Sequence, residues 1–188
     1  MSSIVAAIAK LTARERAVIA AAGTARDPMN EAADKLQALL DVCRALESIS
    51  APHALVGGVA VGVRSGVPRA TMDTDVAVDS GVSRPALTKA LEAHGFLLKG
   101  EFAHSVNFRH RAGEPVQIVI DPPFDAMIER ASVVDVQGTS VRVVTTEDLI
   151  AMKERAAADP ARRPSKALRD RADLALLRGD VPDPDEGW

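Results

Sequence analysis

The sequence predicts an α+β fold, α/β-like in character, built on one mixed sheet. Three observations carry that expectation. The predicted elements run helices first, then strands interleaved with helices, then helices again, the pattern of a single sheet covered by helices. Short apolar runs bounded by turn residues, such as Val116–Asp121 ending at Pro122-Pro123, read as strands. The chain has 188 residues and is 47% hydrophobic, enough to bury one core. Aromatics make up 3% and tyrosine is absent, so that core must be built from Ala, Val, Leu and Ile.

Residues 3–22 read as helical, in one helix or two, with Thr12-x-x-Glu15 as a capping box. Gly23, Asp27 and Pro28 mark a loop, and Asn30 suits the N-cap of a second helix. In that helix Leu36, Leu39, Leu40, Cys43 and Leu46 form one apolar stripe, and Pro52 follows its end. His53–Val56 is a short strand, Gly58–Ser65 a helix, and Thr74–Val78 a second strand. Ser83 and Pro85 open a helix that Gly95 closes. Phe96–Lys99, His104–Arg109 and Val116–Asp121 are three further strands, followed by a short helix at Phe124–Arg130. Ser132–Val136 and Ser140–Val144 flank Gln137-Gly138-Thr139 as a hairpin. Thr146–Ala158 and Pro164–Leu177 are the last helices. The tail from Gly179, with two prolines and four acids, has the composition of a disordered segment. The expected organisation is a helical extension over 1–50, a core over 51–145, packed helices over 146–178 and a tail over 179–188.

A formal net charge of −3 gives no global field that would attract nucleic acid. Lone Cys43 excludes an intramolecular disulfide, which fits a reducing cytoplasm. The alanine-rich start is interrupted by Lys10, Arg14, Glu15 and Arg16 and does not read as a signal peptide. No uncharged run reaches the ~18 residues of a membrane span. The expectation is therefore a cytoplasmic protein without a membrane partner.

Chemistry concentrates between Gly57 and Asp121. Asp73 and Asp75 stand two apart where a strand begins, so both carboxylates face one side, roughly 6–7 Å apart. Magnesium takes hard oxygen ligands, and two ions about 3.5–4 Å apart can bridge such a pair. Asp121, ending an apolar strand, would supply a third carboxylate if that strand lies beside the one carrying Asp75. Gly57-Gly58 ends one strand and opens a helix, where bare backbone and free N–H groups suit phosphate. Arg69 would neutralise triphosphate charge, and the Thr71 hydroxyl would orient a phosphate or an aspartate. Each piece alone has a bland reading: Asp-x-Asp as a solvated turn, Gly-Gly as a turn, Asp121 as a helix cap. Their order on these elements is the specific signal.

Gly57-Gly58, then Arg69-x-Thr71-x-Asp73-x-Asp75, then the strand ending at Asp121, resembles the DNA polymerase beta-like nucleotidyltransferase superfamily over about residues 50–178. The resemblance implies a small mixed-sheet core flanked by helices and transfer of a nucleotide from a nucleoside triphosphate. It places the triphosphate on Gly57 and Gly58 and two magnesium ions on Asp73, Asp75 and Asp121. Thr146–Lys153 and Arg169–Leu174 are similar to the ending of the AbiEii-type nucleotidyltransferase toxins. That similarity makes Lys153, with Asp170 or Asp173, active-site candidates, and implies an antitoxin partner. Gly58 stands where many members of the superfamily carry serine. Residues 153–178 hold eight Lys or Arg against four Asp or Glu, a surface for a triphosphate, for an RNA or tRNA acceptor, or a plain solvated face. Protein side chains and small-molecule hydroxyls are the other acceptors. The alternative function is a non-catalytic nucleotide-binding or regulatory module on the same fold.

Overall fold

The computed structural model describes residues 35–67, 71–136 and 139–180. The first predicted helix, the loop after it, the Asn30 cap and Arg69 lie outside the described residues, as does most of the acidic tail. Among the described residues the order is α1 (Lys35–Ser48), β1 (His53–Val56), α2 (Gly57–Ser65), β2 (Thr74–Val78), α3 (Arg84–Ala93), β3 (Phe96–Phe102), β4 (Ser105–His110), β5 (Pro115–Val119), α4 (Asp125–Arg130), β6 (Ser132–Val136), β7 (Thr139–Val143), α5 (Thr146–Ala158) and α6 (Pro164–Leu177). A short 3-10 turn at Pro122–Phe124 precedes α4.

The seven strands form one mixed sheet in the order β3-β4-β5-β2-β1-β7-β6. β2 is central: it pairs antiparallel with β1 and parallel with β5. β1 in turn runs parallel to β7. Val76, Ala77 and Val78 are all buried, as expected of a strand covered on both faces. The two covers are distinguishable through β2 itself. Asp75 points toward the start of α2, while its neighbour Thr74 points the other way, toward a contact shared with α1. Helices α5 and α6 pack on each other and on α2; α1 packs against α3 and β7. The expected apolar stripe is core, since Leu39, Leu40, Cys43 and Leu46 are each at most 2% exposed. Burial pushes the Cys43 thiol up to about 12, so it is a protonated, inert core group.

Several boundaries differ from expectation. β3 runs on to Phe102 through a register shift between Leu98 and Gly100, a bulge at a mid-strand glycine. β5 ends at Val119, because Pro122 and Pro123 cannot donate to the ladder and turn the chain into the 3-10 helix. α6 matches expectation over Pro164–Leu177, with proline in its first turn, where the missing N–H costs nothing.

Two buried polar clusters tie α1 to the sheet. Lys35 Nζ lies 2.5 Å from Glu114 Oε1, with the two side chains 3% and 1% exposed. The same carboxylate oxygen accepts from Thr74 Oγ1 at 3.0 Å, so it holds the residue between Asp73 and Asp75. Removing one partner of such a pair strands a buried charge. Glu114→Ala is therefore expected to cost about 3–5 kcal/mol of unfolding free energy in urea denaturation.

The second cluster centres on Asp41. Gln37 Nε2 donates to its Oδ1 at 2.9 Å, and Arg44 Nη1 stands 3.2 Å from the same oxygen. His110 Nε2 and Arg111 Nη2 reach Oδ2 at 3.1 and 3.2 Å. Burial works against charge on Asp41, but the hydrogen bonds from Gln37 and His110 and the charges of His110 and Arg111 outweigh it and hold the carboxyl below its usual value. A folded value below the unfolded one gives stability that is present above the unfolded value, about 4, and is lost as pH falls through the folded one. The melting temperature should drop on acidification below about pH 4. Asp41→Asn should flatten that acid limb while lowering stability at neutral pH.

Candidate active site

β1 ends at Val56, whose partner across the antiparallel ladder is Asp75. The next residue, Gly57, adopts φ +67°, a conformation that an L side chain rarely takes, and this turn starts α2 at once. The turn brings the Gly57 backbone against the Asp75 carboxylate. A Cβ on Gly57 would lie 2.0 Å from Asp75 Oδ2 and 2.7 Å from its Cγ. Glycine is thus required twice, by the backbone angle and by the carboxylate. Val56 gives α2 no side-chain cap, so the N–H groups of the first turn are not claimed by a capping side chain. A helix of nine residues opening beside a carboxylate pair presents N–H groups and a positive dipole end to phosphate.

Asp73 sits just before β2 and is half-buried, as is Asp75. Thr71 Oγ1 donates to Asp73 Oδ1 at 3.3 Å, so of the two parts expected for this hydroxyl, it plays the one toward an aspartate. Thr71 and Asp73 are brought together, and Asp75 is brought to Gly57.

Asp121 is not. Its strand does lie beside β2, but the parallel register pairs Asp75 with Gln117. Asp121 stands four residues further on, about 13 Å along the strand at roughly 3.3 Å per residue. Its carboxylate Oδ1 is instead 3.4 Å from Nδ1 of the exposed His104. Its backbone carbonyl accepts from Phe124 N at 2.9 Å and opens the 3-10 turn. The bland reading of Asp121 as the residue that starts the following helical turn is the one its backbone follows. Consistently, no group of three or more His, Cys, Asp or Glu placed to hold a metal occurs among the described residues.

Lys153 is engaged elsewhere. It is 12% exposed, and its Nζ lies 2.9 Å from Asp170 Oδ1 and 2.7 Å from Asp173 Oδ2. Arg162 closes the cluster with Nη2 2.7 Å from Asp170 Oδ2. Burial raises the Asp170 carboxyl, but Lys153 and Arg162 outweigh it and hold it below its usual value. Two cations and two buried carboxylates thus clamp α5 to α6. In α5 itself, Glu154 pairs with Arg178 and Asp148 with Arg130. Arg155, Arg163, Lys166, Arg169 and Arg171 are exposed and form no ion pair among the described residues.

Gln117, Glu114 and Lys35 were not singled out by the sequence. The one available signal was Gln117 itself, a polar residue inside the apolar run Val116–Ile120. Asp75, with Gln117 level with it on β5, and Asp73 two residues earlier carry hard oxygens of the kind a divalent ion takes.

A model of the family described as "Nucleotidyl transferase AbiEii toxin, Type IV TA system" matches residues 37–186. The structure is similar to lincosamide antibiotic adenylyltransferase LnuA with a TM-score of 0.55 at 15% identity, over 77% of this chain and 97% of that one. It is similar to the antibiotic-resistance factor ANT(2'')-Ia with a TM-score of 0.54 at 21% identity, over 78% and 86%. An antigenic nucleotidyltransferase-like protein from Paracoccidioides brasiliensis gives a TM-score of 0.52 at 22% identity, over 81% and 80%. At these identities the likeness is one of fold. A comparison with curated proteins found no match. No helix among the described residues is long and apolar enough to cross a membrane.

Proposed function

The chain belongs to the AbiEii nucleotidyltransferase toxin family, and from that premise we propose that it moves a nucleoside monophosphate from a metal-bound nucleoside triphosphate to an acceptor hydroxyl. The observation that carries this reading is the seat of Asp75 against Gly57, where a single methyl group would collide with the carboxylate. A glycine kept bare beside an acid, at the start of an uncapped helix, is what a triphosphate with its counter-ion requires.

Asp73 and Asp75 would hold the divalent ion. A bound ion supplies charge neutralisation and polarises a phosphoryl oxygen. The chain's own groups then divide the work. The backbone N–H groups from Gly57 onward receive the outer phosphates and fix the donor. Thr71 fixes the Asp73 carboxylate through its hydrogen bond, and the Glu114–Thr74 contact anchors the strand between the two acids from below. Arg69 would add positive charge at the phosphates. Lys153 serves the site through α6, by holding Asp170 and Asp173 where the α5–α6 pair packs on α2.

Charge favours RNA, such as tRNA, as the acceptor. Asp148, Glu154, Asp170 and Asp173 of the C-terminal helices are taken up in internal pairs, while the exposed Arg155, Arg163, Lys166, Arg169 and Arg171 form no ion pair among the described residues. The family description supports a toxin role with an antitoxin partner. Incubation with magnesium and triphosphates labelled at either the α- or the γ-phosphate tests the reading against RNA, protein and small-molecule acceptors. The α-label should appear on an acceptor while the γ-label leaves as pyrophosphate. Transfer of the γ-label, or of neither, would contradict it.

A further inference from the structure

The two acids leave the acceptor side of the site without a third oxygen, and strand register supplies one. Gln117 is the Cα partner of Asp75 on the adjoining parallel strand. Registered neighbours on parallel strands lie about 5 Å apart and send their side chains to the same face. Gln117 is half-buried, and its Nε2 donates to Ser105 Oγ at 3.3 Å on β4, the side away from β2. With its nitrogen engaged there, the amide presents its carbonyl oxygen as the remaining polar end. That oxygen has no hydrogen-bond partner among the described residues.

We propose that Gln117 is the third oxygen donor of the site, a neutral ligand beside the carboxylates of Asp73 and Asp75. The proposal rests on the nucleotidyl-transfer reading and adds to it a residue that the reading lacks. An amide oxygen ligates magnesium as a carboxylate does but brings no negative charge. The protein therefore meets a divalent ion with a charge of −2 from its two acids. The triphosphate contributes the rest of the attraction, and the ion is held firmly only together with the nucleotide. Among the described residues no third carboxylate stands there to take up the acceptor's proton: Asp121 lies about 13 Å away along the strand and is paired with His104.

The test is calorimetric titration of the full chain with manganese alone and with a magnesium-bound non-hydrolysable triphosphate. It compares the native chain with Gln117→Glu, Gln117→Ala and Asp75→Asn. Gln117→Glu keeps the shape and adds one charge, so it should tighten manganese binding about 10-fold or more, since ligand charge count tunes affinity. Gln117→Ala should weaken binding of the metal–triphosphate complex several-fold while leaving metal-free triphosphate binding unchanged. If both variants stay within about twofold of native affinity while Asp75→Asn abolishes metal binding, the site stands and Gln117 is outside it. If the native chain binds no metal–triphosphate and Asp75→Asn changes nothing, the nucleotidyl-transfer reading falls and takes this proposal with it. Circular dichroism of each variant checks the fold, and Gln117→Ala carries the test alone if the glutamate variant does not fold.

Discussion

Asp75→Asn is expected to abolish metal-dependent nucleotidyl transfer while leaving the folded chain in place. Asp75 is the one acid that touches both halves of the donor site. It lies against the Gly57 turn that opens α2, and it stands in β2, two residues after Asp73. Asparagine keeps the size and one oxygen but removes the charge. A metal-bound phosphoryl site loses several kcal/mol of charge stabilisation on that change. At about 1.4 kcal/mol per decade, the rate should fall roughly 10³-fold. Binding of the metal–triphosphate complex should disappear in the same variant. Stabilisation by ligand should therefore vanish too, because only a ligand of the native state raises the melting temperature. An Asp75→Asn chain that still transferred nucleotide within a few-fold of native would remove Asp75 from the mechanism.

Gly57→Ala has the second large effect, and it acts on both stability and function. The new Cβ would lie 2.0 Å from Asp75 Oδ2 and 2.8 Å from Asp75 Cβ. Asp75 cannot retreat, since its strand is paired on both sides. The φ of +67° adds roughly 1–2 kcal/mol of strain for an L residue. The variant should lose stability and also lose metal–triphosphate binding, because its carboxylate is displaced. Gly66 provides the matched control. It has φ +74° at the end of α2, and a Cβ there meets nothing within 4 Å. Gly66→Ala should therefore pay the strain, about 1–2 kcal/mol, and keep transfer intact. Chemical denaturation paired with triphosphate titration separates the two cases.

Much of this molecule is legible in the chain. Period-two and period-3.6 apolar patterns are local, and they place His53–Val56, Thr74–Val78, Thr146–Ala158 and Pro164–Leu177 at the bounds observed. The acid pair stands out in the sequence too, although Asp73 falls in the bend before β2, where strand alternation does not set its direction. What local pattern cannot reveal is register between strands far apart in sequence. Asp121 reads as the natural third acid because it ends a strand, and that strand does lie beside β2. Yet the ladder is set by packing of Val116 and Ile118 against the core, and it places Gln117 level with Asp75. The Lys35–Glu114–Thr74 contact joins residues 79 and 40 positions apart and has no local signature. The pairing of Lys153 with Asp170 and Asp173 depends on how α5 and α6 cross, which side-chain spacing within either helix does not specify.

The most direct test of the donor site is a crystal structure with magnesium and a non-hydrolysable nucleoside triphosphate. The triphosphate should lie on the backbone N–H groups from Gly57 onward, with the metal bound by Asp73 and Asp75. A triphosphate seated on the cationic face of α5 and α6, with no metal at the acid pair, would contradict this account.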